Sequence, residues 1–125
     1  MAKILLVDDM NGVRSSLSMV LKTAGHDVIE AENGQVGLEK CRNGNFDLVI
    51  TDIVMPEVDG SEVILNVKKS APALPVLAIS GGGSSISAEQ ALILAKETAD
   101  SVLAKPFSRQ ELLDEVNRLI TKVAA

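Results

Sequence analysis

The stretch Lys3-Ile4-Leu5-Leu6-Val7-Asp8-Asp9, at residues 3–9, decides the fold. Its four consecutive apolar residues are the length of a short strand buried on both faces, and the run stops at two acids. Strands buried on both faces belong to parallel sheets, where helical crossovers cover each side. Working outward, similar runs recur at residues 28–29, 48–51, 76–79 and 102–103. The intervening segments change to helical period. Val13, Leu17, Val20, Leu21 and Ala24 are spaced by threes and fours, with Gly25 as terminator. Leu112, Val116, Leu119, Ile120 and Val123 form another such face, preceded by Ser108 and Glu111 at capping-box spacing. Ser87 and Gln90 repeat that signature before a helix over residues 91–98, the fourth of five. Asn33-Gly34, Asn43-Gly44 and Asp59-Gly60 read as turns, and Pro72 and Pro75 bound the approach to the fourth strand. Five strand and helix alternations predict a three-layer α/β/α sandwich with a five-stranded parallel sheet and five helices.

Composition agrees. The 125 residues, 46% hydrophobic and 23% charged, predict one compact domain over residues 1–125 and leave no room for a second. Twelve basic residues against seventeen acidic ones give a net charge of −5, which opposes nucleic acid and anionic membrane surfaces. Two phenylalanines, without tyrosine or tryptophan, offer no base-stacking platform. The single cysteine, Cys41, has no partner for an intrachain disulfide and reads as a core or half-buried thiol. The N-terminus lacks signal-peptide character and no apolar stretch approaches the ~18 residues of a membrane span, so the expected location is cytoplasmic.

In an open parallel sheet, ligands bind beyond the carboxyl ends of the strands. Here the first strand ends in Asp8 and Asp9, the third in Asp52, the fourth in Ser80 and the fifth in Lys105. One fold assignment therefore gathers three carboxylates, a hydroxyl and an ammonium at a single rim. Two carboxylates about 5 Å apart at an effective dielectric of about 20 repel by roughly 3 kcal/mol, and a third compounds the cost. Lys105 offsets part of it; the remainder calls for a hard divalent cation with oxygen ligands, and magnesium suits a half-open site of this kind. Such a set equips the chain for phosphoryl transfer, with Asp52 as the nucleophile forming an acyl phosphate.

Taken singly, each residue has a plainer reading. Asp8 and Asp9 could be solvated loop acids, Asp52 a turn residue, Ser80 part of a glycine loop and Lys105 a surface lysine. His26, the only histidine, precedes the second strand at the edge away from the acids and reads as structural. The Gly81-Gly82-Gly83 run lacks the final glycine of a dinucleotide loop and the ending of a P-loop.

Together, KILLVDD at 3–9, DLVITDIVMPEVDG at 47–60, VLAISG at 76–81 and VLAKPF at 102–107 resemble the receiver domain of two-component response regulators, and the resemblance runs from Lys3 to about Lys122. It implies a flavodoxin-like fold with strand order 2-1-3-4-5. It further implies Asp52 as phosphoacceptor, Asp9 as a direct magnesium ligand, Asp8 as a supporting one, and the backbone carbonyl of Val54 as another. Ser80 matches the hydroxyl residue that follows the phosphoryl group. Lys105 matches the lysine that pairs with it, before a cis peptide to Pro106. Implied partners are a histidine kinase or a histidine phosphotransfer protein and a downstream protein target, with no direct nucleic-acid or membrane contact. Such a domain is not an enzyme beyond its own phosphoryl transfer and slow dephosphorylation.

Two departures bear on mechanism. Many receivers carry an aromatic residue three positions before the lysine, where this chain has Val102, and positions 54 and 82 offer only an apolar side chain and a glycine. An interaction module that works without phosphorylation is therefore an alternative. A haloacid dehalogenase-type phosphatase would need an acid at position 54, and a flavin carrier would need a phosphate loop where Asp8 and Asp9 stand. The sequence stops shortly after its last helix, so output is expected to run through protein contacts unless the chain is an excised receiver.

Overall fold

The structure, a computed structural model, describes residues 2–52, 60–80, 99–104 and 107–124. In chain order the elements are β1 (Lys3–Val7), α1 (Asn11–Thr23), β2 (Asp27–Ala31), α2 (Gly34–Asn43), β3 (Leu48–Asp52), α3 (Gly60–Ser70), β4 (Val76–Ser80), β5 (Ser101–Ala104) and α4 (Arg109–Ala124). All strand pairs are parallel and the order is β2-β1-β3-β4-β5, as the resemblance implies. Four helices are present among the described residues; the expected helix over 91–98 lies outside them, so α4 here is the fifth helix of the sequence reading.

Strand alternation divides the core in two. Ile4, Leu6, Leu48, Ile50, Leu77 and Ile79 pack with Leu17 and Leu21 of α1 and Leu112, Val116 and Leu119 of α4. On the opposite face Leu5, Val7, Val49, Val76 and Ala78 pack with Val63, Ile64 and Val67 of α3. The sheet is thus sandwiched between α1 with α4 and α2 with α3. Gly37 of α2 lies so close to β1 that a Cβ there would sit 2.8 Å from Cγ2 of Val7. Gly37→Ala gains helix propensity but overpacks a stiff β-branched neighbour, and is expected to cost about 1–2 kcal/mol net in urea unfolding.

Local signals explain most boundaries. Gly25 ends α1 at φ 97°, a left-handed conformation in which an L side chain would be strained. The capping box forms as spaced: Glu111 N–H donates to Ser108 Oγ at 3.1 Å and Ser108 N–H to Glu111 Oε1 at 3.2 Å. Asn33-Gly34 departs from the turn reading. Asn33 Oδ1 accepts the Val36 N–H at 2.9 Å and caps α2, with Gly34 as the first helical residue. Asparagine serves both roles by the same side-chain acceptance of a backbone N–H, so the dipeptide alone does not separate them.

Glu115 of α4 ties that helix to β5. It accepts from Arg118 at 2.9 Å and from the Ser101 hydroxyl, and these bonds, Arg118 first, hold its carboxyl below the ordinary value of 4.5. A carboxyl lowered on folding stabilises the native state fully above its unfolded value, and loses that contribution as pH falls through the folded value. Arg118 is 52% exposed, so screening leaves about 0.5 kcal/mol or less. Glu115→Gln is accordingly expected to be slightly less stable than wild type at pH 7, with the gap closing below pH about 4 in pH-dependent denaturation.

Candidate functional site

The carboxyl edge of the sheet carries the acids. Register places Val7 beside both Ala31 and Thr51, Asp52 beside Ile79, and Ser80 beside Ala104. Asp8, Asp52 and the backbone of Ser80 therefore stand within about one rung of each other along three adjacent strands. Lys105 and Val54, and the Lys105–Pro106 peptide, lie outside the described residues.

Asp8, Asp9 and Asp52 each offer a carboxylate oxygen within 4.8 Å of the other two. Asp8 is 1% exposed and Asp52 5%, while Asp9 is half-buried. Burial strengthens their mutual repulsion, because fewer water dipoles screen it. The donor set is three carboxylates, oxygen only and hard, with one partly open side at Asp9. That chemistry fits magnesium, and it does not suit the softer metals that favour thiolate or imidazole. The remaining candidate metal-ligating types sit elsewhere. His26 lies at the opposite edge of the sheet, half-buried, with Nδ1 accepting the Ala2 N–H at 3.2 Å. Cys41 is half-buried in α2, where burial pushes its thiol up against the smaller opposing effect of Arg42.

The β1–α1 connection is held from several sides. Asp8 N–H donates to the Ala31 carbonyl at 3.1 Å, and Asp8 Oδ1 accepts the Met10 N–H at 2.9 Å, an aspartate turn that orients the carboxylate. The carbonyl of Asp8 accepts from Arg14 at 2.7 Å. Arg14 is absent from the sequence reading, yet one signal marks it. A cation in the first turns of a helix opposes the helix dipole, so it calls for a specific partner. Val102, in place of an aromatic residue, pairs with Ala78 and packs as a partly buried side chain on the α2 and α3 side of the sheet.

Residues 4–117 match the family described as the response regulator receiver domain. The chain is 32% identical to the response regulator receiver protein CpdR of Brucella abortus over 125 residues, covering 96% of this chain and 98% of CpdR. It is 34% identical to the response regulator protein FleR of Pseudomonas aeruginosa over 117 residues, covering 94% of this chain but 24% of FleR. Several relatives are thus far longer, and the chain spans a quarter to a half of their length. Among solved structures, a CheY-like receiver domain protein from Methanospirillum hungatei superposes with a TM-score of 0.89 at 25% identity, covering 99% of this chain and 97% of that one. Among the described residues no helix is long and apolar enough to cross a membrane.

Proposed function

The chain belongs to the response regulator receiver family, and from that membership we propose that it accepts a phosphoryl group on Asp52 from a histidine kinase or histidine phosphotransfer protein, in a magnesium-dependent reaction. The observation that carries the proposal is the convergence of three carboxylate oxygens within 4.8 Å at the carboxyl edge of a parallel sheet.

A carboxylate oxygen of Asp52 attacks phosphorus of the donor phosphohistidine. The new O–P bond makes an acyl phosphate as the P–N bond breaks, and the departing imidazole nitrogen takes a proton from solvent. Asp8 and Asp9, with Asp52 and the carbonyl of Val54, would hold the cation. Bound there, magnesium neutralises charge on the phosphoryl oxygens. Asp8 keeps its orientation through the Met10 N–H, and β3, buried along its whole length, presents Asp52 at its carboxyl end. Lys105 pairs with the phosphoryl oxygens and Ser80 follows the group after transfer. The same charge change biases the face around β5 and the helix next in the chain, and a downstream protein reads that bias.

Acetyl phosphate with magnesium is the direct test. Intact-mass measurement is expected to show one added phosphoryl group, which does not form when a chelator is present from the start; labelling that is equal with and without chelator would remove the metal from the reaction. The lack of a ring at Val102 favours a second reading, constitutive docking without phosphate. Partner affinity that is unchanged by acetyl phosphate would select it.

A further inference from the structure

We infer that Arg14 is a positioning residue for the metal-binding acids, acting through the backbone of Asp8; this rests on Asp52 being the phosphoacceptor of a magnesium site. The Arg14 side chain is only 14% exposed and sends its N–H groups in three directions. One nitrogen donates to the Asp8 carbonyl at 2.7 Å, a second to Asn11 Oδ1 at 2.8 Å, and Nε to Glu30 Oε1 at 3.2 Å. The guanidinium is a rigid planar fork, so three contacts in fixed directions join the acidic connection to the start of α1 and to β2. Glu30 is itself secured, since Lys40 donates to its carbonyl at 2.7 Å.

The consequence falls on Asp9. The Asp8 carbonyl belongs to the planar peptide that joins residues 8 and 9, so holding its oxygen fixes the direction in which the chain enters Asp9. The Asp8 carboxylate has the Met10 N–H to orient it, whereas among the described residues no hydrogen bond orients the Asp9 carboxylate. Its reach toward Asp8 and Asp52 is therefore set by backbone direction, and Arg14 supplies the strongest hold on that backbone because a charged donor meets the carbonyl in a largely buried place. Electrostatics alone would make a cation here a competitor of magnesium. Pairing with Glu30 cancels much of that field, which leaves geometry as the contribution of Arg14.

The test separates fork from charge. Arg14→Lys keeps the charge and loses the planar fork, while Glu30→Gln breaks one arm and leaves the Asp8 contact in place. Magnesium alone is titrated into the full chain and followed by the amide shifts of Asp9 and Asp52, with thermal unfolding measured beside it. Arg14→Lys is expected to weaken magnesium about tenfold, the size typical of a lost contact behind a metal ligand. Glu30→Gln is expected to weaken it less than about threefold, even where both variants lose similar thermal stability. Wild-type magnesium affinity in Arg14→Lys, or equal weakening in both variants, overturns the inference while the phosphoacceptor reading stands. Wild-type amides that do not respond to magnesium overturn both.

Discussion

Asp52→Asn is expected to take up no phosphoryl group from acetyl phosphate, under magnesium conditions in which the wild type is labelled. The amide keeps the volume of the carboxylate, so the buried end of β3 remains filled, but it lacks the anionic oxygen that attacks phosphorus. It also withdraws one of three carboxylates from the cluster, so magnesium should bind more weakly. Intact-mass analysis reads the first effect and a magnesium titration the second, with far-ultraviolet circular dichroism confirming an intact fold. Full labelling of the variant would move the acceptor to another residue. Replacing Asp9 instead should leave the nucleophile in place while raising the magnesium needed for labelling, which distinguishes a ligand from an acceptor.

Ile50→Ala is expected to cost about 3–4 kcal/mol in urea unfolding, because it deletes methyl groups from a close-packed region that collapses only in part. Ile50 is fully buried on the central strand, in the cluster shared with α1 and α4. For a domain of this size that is a large part of a total near 5–15 kcal/mol. Asp52 lies two residues further along the same strand, so looser packing at Ile50 should slow labelling without abolishing it. A loss under about 1 kcal/mol would mean that the site relaxes far more than its neighbours suggest.

The acids of the candidate site are legible without coordinates because Asp8 and Asp52 come directly after the runs that form β1 and β3, with Asp9 next to Asp8. Val7 and Thr51 are paired at the ends of their runs, and Asp8 and Asp52, next in sequence, bring carboxylate oxygens within 4.8 Å of each other. The capping box at Ser108 and Glu111 is equally local and forms as spaced. Asn33 shows where local reading stops, since one side-chain hydrogen bond serves a turn or a helix cap depending on whether the residues after it go on to coil. Arg14 shows the same limit over a longer range. Its three partners lie 3, 6 and 16 residues away, and nothing in the helical period of α1 points to Glu30 on β2.

Local sequence signals specify the strands, the end of α1 at Gly25, the start of α4 at Ser108 and the group of acids at the strand ends, since hydrophobic period, caps and breakers act over a few residues. Tertiary structure alone decided which helices share a face, how near Gly37 comes to Val7, how closely Asp8, Asp9 and Asp52 converge, and what Arg14 holds. Those features depend on distances between segments that meet only after the sheet has assembled, and packing of a whole core sets such distances, not the preferences of any one stretch.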